Sequence, residues 1–349
     1  MYVECFYPDT FHYNENDDVV FDKLYYTWQD SQTDKYINYD YIKETSTPKR
    51  YDLRDTGYVT SVKNQQNKDN CWAFASVAAL ESYLLKNEGK TYDFSENNLK
   101  NAMSSIGSIG NDIAVDTGGT ISMSIAYFLR WSGPILEKDD GYMSNNLVEN
   151  LKPVKHVQGI NYILNRTNSS DNDEIKQAIL NYGGVVTSIY WDKNFIREDT
   201  SSYYNPSATS HNHQICIVGW DDNYDKSNFK YQLKGMTNGA FIVKNSYGPD
   251  KGDKGYYYVS YCDPTIAIDN YNPFVGYVFT DVEDNTNYGF NYEYTPLGLN
   301  YLKKINEKDV KFYNQWTANK DDTLEACGFY NFIPSNCQIN VSIDGKSQE

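Results

Sequence analysis

Read for hydrophobic period, the chain divides into a helical first half and a strand-rich second half. The run Ala73, Phe74, Ala75, Val77, Ala78, Ala79, Leu80 follows directly on the polar, turn-prone stretch Asn64 to Asn70, and no Pro or Gly interrupts it before Gly89. That pattern predicts a helix opening at Cys71 and apolar enough to be buried. Phe94-Ser95-Glu96-Asn97-Asn98-Leu99 predicts a second helix with Ser95 as N-cap. A turn at Asp116-Thr117-Gly118-Gly119 leads into a third, amphipathic run from Ile121 to Trp131. From about residue 153 the runs become short and β-like, apart from one more helix over Asp173 to Tyr182 that stops at Gly183-Gly184 before a strand from Val185 to Tyr190. Beyond Asp263 short runs of Tyr, Phe, Val and Ile alternate with Asn, Asp, Gly and Pro turns, as in a β-sandwich. Residues 1–48 show no clean period, as expected of a linker or a partial pro-segment.

The loop-to-helix junction at Cys71 carries the first candidate chemistry. Free amide N–H groups and the helix dipole favour negative charge in a first turn and lower a thiol's pKa toward the nucleophilic thiolate. The competing reading is a small apolar core residue, the commoner fate of a free Cys.

The whole stretch resembles the active-site segment of the papain family of cysteine peptidases. There a V-T-x-V-K-N-Q run leads, six residues after its Gln, to the nucleophile of C-W-A-F-[AS]. Here Val59-Thr60-Ser61-Val62-Lys63-Asn64-Gln65 leads at the same spacing to Cys71-Trp72-Ala73-Phe74-Ala75. Pro48-Lys49-Arg50-Tyr51-Asp52-Leu53-Arg54 likewise resembles the start of a mature domain of that family. Among His12, His156, His211 and His213, the segment Asn212-His213-Gln214-Ile215 resembles the family's histidine strand. His213 follows Cys71 by 142 positions (213 minus 71), within the family's window of roughly 130–150. His211 is the competitor. Phe241-Ile242-Val243-Lys244-Asn245-Ser246-Tyr247-Gly248 resembles W-x-[IV]-K-N-S-W-G and gives Asn245 the place of the group that orients the imidazole. The resemblance further implies Gln65 as an oxyanion donor and Gly118 and Gly119 as the open strand on which a peptide substrate pairs its backbone.

Three departures stand out. The usual C-G-[ST]-C-W is Lys68-Asp69-Asn70-Cys71-Trp72, so the half-cystine that staples this loop is absent and packing or hydrogen bonds must hold it. Asp69 opposes ionisation of the thiol. Tyr247 stands where a Trp shields the Asn–His bond, and partial shielding is expected.

Composition adds mainly exclusions. A net charge of −16 disfavours nucleic acid and anionic membranes as partners, and no run of eighteen apolar residues spans a bilayer. The six cysteines are too scattered for a disulfide framework; Cys327 and Cys337 could bridge a hairpin, with unpaired thiols the expectation. No C-x-x-C pair suggests zinc, and Asp221-Asp222-Asn223-Tyr224-Asp225 lacks the Gly and Glu of a calcium loop, so no metal or cofactor is expected. Tyr292 to Gly298, Phe312 to Ala318 and Leu324 to Tyr330 resemble, more loosely, the lectin-like domain that follows the peptidase in clostridial cell-surface members of the family.

The expectation is therefore an α+β chain. Residues 1–48 form an N-terminal segment, 49–265 a two-lobed papain-like peptidase and 266–349 a partial lectin-like β-sandwich. Its substrates are expected to be polypeptides, its location secreted or cell-surface, and the chain a fragment without a signal peptide. Cell-wall or glycan contact through the C-terminal part accompanies this reading. The alternatives are a catalytically weak papain-like adhesin or binding module, and an acyl-transfer enzyme using the same Cys, His and Asn.

Overall fold

The computed structural model describes residues 46–270, 274–293, 295–298, 317 and 325, and the backbone of six further strands. Strands β1 (Tyr2–Phe6), β2 (Tyr25–Asp30) and β3 (Arg50–Asp52) precede helices α1 (Cys71–Glu88), α2 (Glu96–Met103) and α3 (Ile121–Leu129). Strand β4 (Lys155–Leu164), helix α4 (Asp173–Tyr182) and strand β5 (Val185–Ile189) come next. The short strands β6 (Ile196–Arg197) and β7 (Ser202–Tyr203) lead to β8 (His213–Asp221), β9 (Ala240–Lys244), β10 (Tyr256–Ser260) and β11 (Phe274–Asp284). The last strands are β12 (Lys311–Gln315), β13 (Ala326–Asn331), β14 (Gln338–Ile343) and β15 (Lys346–Gln348).

One sheet runs β13-β2-β4-β11-β5-β8-β9-β10-β7-β6, with β3 beside β8, and is antiparallel except where β10 meets β7. A second runs β12-β1-β14-β15. Helices α1, α2 and α3 pack on one another, and α1 also lies against β5, β8 and β11. This double contact explains why α1 buries residues on nearly every side, from Trp72 to Leu84, where a surface helix would show a single apolar stripe.

The local signals act as the sequence predicts. Gly89 takes the left-handed conformation (φ 65°) and its N–H closes α1 on the Leu85 carbonyl at 3.1 Å. Ser95 Oγ accepts the Asn98 N–H at 2.8 Å. Thr120 caps α3 in the same way, a role not read from the sequence. After α4, Gly183 turns with φ 114°, and a Cβ on Gly184 would lie 2.5 Å from Cys216 Sγ, so the close approach of this turn to β8 requires glycine.

Long-range pairing is where the structure goes beyond the pattern. Two strands lie within residues 1–48: β1 pairs β12 and β14, and β2 pairs β4 and β13. Strand β11, beyond Asp263, continues the central sheet: it pairs β4 and β5, and Thr280 O accepts the Tyr83 hydroxyl of α1 at 3.0 Å. Of the segments compared to a lectin-like domain, Pro296 O accepts Arg130 Nη1 at 2.7 Å, which ties that turn to α3. Residues 312–315 and 326–330 fall in β12 and β13. His12 and Cys337 lie outside the described residues, as do the side chains of Cys5 and Cys327.

Phe128 joins the helices to β11. It is fully buried and meets Phe279 edge-on at 5.3 Å and Tyr127 at 5.1 Å. Phe128→Ala is expected to lower unfolding free energy by about 3–5 kcal/mol in urea titrations.

Candidate active site

Three segments converge at the N-terminus of α1. Cys71 is its first residue and is half-buried, and its Sγ accepts the backbone N–H of Gln214 at 3.4 Å. Gln214 follows His213, the first residue of β8. Strand β9 pairs with β8 and ends at Lys244, which places Asn245 next to His213.

His213 is buried, and its Nε2 lies 2.8 Å from Asn245 Oδ1. The same oxygen accepts the Ser246 N–H at 2.8 Å, which fixes the orientation of the amide. An amide oxygen only accepts, so Nε2 carries the proton and Nδ1 of the neutral ring presents a lone pair. The Tyr247 hydroxyl lies 3.4 Å from Nδ1, and the Tyr247 ring stacks on the imidazole at 5.1 Å and 16°. Trp191 adds a second aromatic wall, 5.9 Å from His213. Tyr247 therefore covers the imidazole as expected, whereas Trp191 gave no sequence signal. His211 is engaged elsewhere, with Nε2 3.0 Å from Thr265 O and Nδ1 3.3 Å from Asp269. His156 stacks on Trp131.

Burial dominates the electrostatics. It pushes the Cys71 thiol up to about 11, against the backbone N–H groups of Gln214 and Trp72, and Asp69 adds to the rise. It pushes His213 down to about 4, partly offset by the bond to Asn245. The helix N-terminus thus does not by itself ionise the thiol. Burial disfavours the charged form of each group taken alone.

Gln65 is buried, and its main chain pairs with the Asn245 segment: its N–H donates to Ser246 O at 2.8 Å. Its side-chain Oε1 accepts from Ser246 Oγ at 2.5 Å, and Nε2 donates one N–H to Lys68 O at 2.6 Å, leaving a second. Gly118 has φ +97°, a backbone that strains any side chain although the space beside it is open, and a Cβ on Gly119 would strike the Trp72 ring at 2.4 Å. Gly119 O accepts Gln214 Nε2 at 3.4 Å, so Gln214 touches the sulfur through its backbone N–H and Gly119 through its side chain. Among the described residues no group of three or more His, Cys, Asp or Glu could hold a metal ion.

The loop before Cys71 is held by charge. Asp116 Oδ2 accepts from Lys68 Nζ at 2.7 Å, and Oδ1 accepts from Asn70 Nδ2 at 2.7 Å and lies 3.1 Å from Lys100 Nζ. Tyr142 completes the clamp: it accepts from Asn70 at 3.0 Å, donates to Gln65 O at 2.9 Å and meets Phe74 edge-on. Neither Asp116 nor Tyr142 was read from the sequence in this role.

Beneath the site lies a buried ion cluster. Lys63 Nζ reaches Glu81 at 3.1 Å, Glu96 at 3.0 Å and Asp93 at 2.8 Å. Thr60 Oγ1 donates to Glu81 at 2.5 Å, and Lys244 Nζ donates to Thr60 O and Oγ1 at 3.0 Å. Burial opposes charge throughout: it lowers the Lys63 pKa, an effect that Glu96 and Glu81 outweigh, and it pushes the Glu96 carboxyl up to about 8 despite Lys63, so Glu81 is the firmer counter-charge.

Burial would also raise the Asp116 carboxyl, yet bonds from Lys68, Asn70 and Lys100 hold it down at about 2. Its folded pKa lies below the ordinary value near 4, so its stabilisation is present above about pH 4 and is lost as pH falls toward 2. Asp116→Asn is expected to lower unfolding free energy by roughly 1–3 kcal/mol at neutral pH, with the difference from wild type shrinking below about pH 4 in pH-resolved denaturation.

Residues 47–272 match the family described as papain family cysteine protease. The solved clostridial cysteine protease Cwp84, after propeptide cleavage, is 32% identical with a TM-score of 0.58, over 67% of this chain and 58% of that one. The structure of the cysteine protease and lectin-like domains of Cwp84, a surface layer associated protein of Clostridium difficile, gives 27% and 0.59 over 76% and 62%. Human cathepsin L2 is 27% identical over 216 residues, 60% of this chain and 59% of the relative. Amb a 11 of Ambrosia artemisiifolia, a cysteine protease, is 28% identical over 64% of this chain and 53% of its own length. The chain thus spans between half and two thirds of each of these four, with a papain-like α+β fold. With the match covering well over half of its residues, the chain belongs to the papain family of cysteine proteases.

Proposed function

We propose that this protein is a cysteine endopeptidase acting through a Cys71 acyl-enzyme. The carrying observation is the 2.8 Å contact between His213 Nε2 and Asn245 Oδ1, next to a sulfur already bonded to the residue that follows His213. It leaves Nδ1 as the acceptor for the thiol proton.

In this reading the Cys71 proton passes to His213 Nδ1 as sulfur attacks the scissile carbonyl carbon. The pair becomes thiolate and imidazolium together, each offsetting the cost of burying the other. The spare N–H of Gln65 Nε2 and the backbone N–H of Cys71 hold the oxyanion. The C–N bond then breaks as His213 gives its Nδ1 proton to the leaving amine. Water attacks the thioester with its proton passing to His213, releasing the acid and restoring the thiol. Asn245 accepts the Nε2–H throughout. Gly118 and Gly119 carry the substrate backbone.

Likeness to Cwp84 supports a secreted or cell-surface location, with residues 266–349 as a lectin-like part in contact with glycan or cell wall.

The test is hydrolysis of an unstructured protein such as casein, together with titration by an epoxide that needs an activated thiol. Wild type should be labelled once per chain and should cleave. Cys71→Ala should do neither, and Gln65→Ala should lose roughly a hundredfold in kcat/KM. A folded wild type that neither labels nor cleaves would instead favour the binding-module reading.

A further inference from the structure

The Tyr247 hydroxyl is the polar group that the structure places against His213 Nδ1, at 3.4 Å. The two rings lie within 16° of parallel with centroids 5.1 Å apart, so the hydroxyl end of the phenol, rather than the middle of its face, meets the imidazole. The backbone around Tyr247 is tied to the Gln65 loop on both sides. Gln65 N–H donates to Ser246 O at 2.8 Å and Gly248 N–H donates to Lys63 O at 3.1 Å, with Asn64 and Tyr247 paired between them.

Because Nε2–H is committed to Asn245, Nδ1 of the neutral ring offers a single lone pair. A phenol can donate to it, whereas the tryptophan that the family pattern has at this position carries no hydroxyl. Burial pushes the Tyr247 pKa up, and Cys71, Tyr257 and Asp69 add to the rise, so the phenol keeps its proton near neutral pH. The other surroundings bring no charge to the ring: Ile189 of β5 pairs with His213, Trp191 is aromatic, and Lys244 of β9 is engaged by Thr60. The bond from Tyr247 exists only while Nδ1 lacks a proton. Once Nδ1 is protonated, two hydrogens face each other, and a thiolate accepts from the imidazolium better than a phenol oxygen does.

Resting on the peptidase reading above, we infer that Tyr247 is a positioning residue that restrains the nucleophile. Its hydroxyl donates to Nδ1 in the resting protein, competes with the Cys71 thiol for that lone pair, and holds the Cys71–His213 pair in its neutral form until the thiol proton displaces it. The phenol proton stays on Tyr247 throughout, and only the thiol proton is transferred. A distance of 3.4 Å is long for an O–H···N bond, which sets the effect at about threefold in the equilibrium, or about half a pH unit.

The experiment uses Tyr247→Phe, which keeps the ring and deletes the hydroxyl. In a Cys71→Ala background, which takes the thiol out of the equilibrium, NMR titration should show the His213 pKa raised by about half a unit when Tyr247→Phe is added, because the neutral ring loses a bond. With Cys71 present, Tyr247→Phe should be alkylated by iodoacetamide about threefold faster than wild type near pH 7, and the pH at which the imidazolium loses its proton should move upward. A ring that acted only as a cover would leave both readings unmoved in Tyr247→Phe. A His213 pKa that is unchanged or lower, or labelling that is no faster, overturns the inference. Failure of the peptidase reading is separate: neither wild type nor Tyr247→Phe cleaves any peptide, while the imidazole titration in Cys71→Ala still reports the hydroxyl.

Discussion

The buried cluster of Lys63, Glu81 and Glu96, joined through Thr60 to Lys244, is the constraint on which the rest of the site depends. Glu81 lies on α1, whose first residue is Cys71, and Glu96 opens α2. Lys63 is two residues before Gln65, and Lys244 immediately precedes Asn245. Each candidate group except His213 is thus tied within a short run of chain to one charged centre, and His213 is reached through the pairing of β8 with β9. Charges buried this deeply hold only when all their partners are present, and removing one typically costs roughly 3–5 kcal/mol. The cluster therefore fixes how α1, the Gln65 loop and β9 meet.

A second, smaller network performs the corresponding task at the rim. Where the family places a half-cystine, Lys68 reaches Asp116, which also holds Asn70 and faces the buried Lys100. A covalent staple is replaced by an ionic one that depends on a carboxylate remaining charged. Between the two networks, the Cys71 and His213 side chains occupy an environment that penalises charge on either alone. In the proposed mechanism, proton transfer between them would exchange two neutral groups for an ion pair, and reactivity would belong to the pair.

What was legible in the sequence were features encoded by short contiguous runs. The helix opening at Cys71, the Ser95 cap and the limits of α4 follow from local period and capping residues. His213 and Asn245 stand out in the sequence because each sits in a short run that resembles a papain-family motif, and the structure places the two side chains in contact. Features created by distant contacts left no local trace. Asp116 is separated from Lys68 by 48 positions, and Tyr142 from Gln65 by 77. The strands within residues 1–48 pair with partners more than a hundred residues away, and their pattern of Tyr, Asp and Asn resembles that of a linker. The lowering of the thiol pKa expected from the helix N-terminus was outweighed by burial, which depends on packing against distant β8.

The most direct measurement is the rate of Cys71 alkylation by iodoacetamide as a function of pH, in the protein and in His213→Ala. If thiolate forms by transfer to His213, the protein should react readily at about pH 6, the rate rising through an acid limb to a plateau and changing again only where the imidazolium loses its proton. His213→Ala should then show a single rise displaced toward the thiol's own value of about 11. The same single rise in both proteins would contradict the account, because it would mean that Cys71 and His213 do not share a proton.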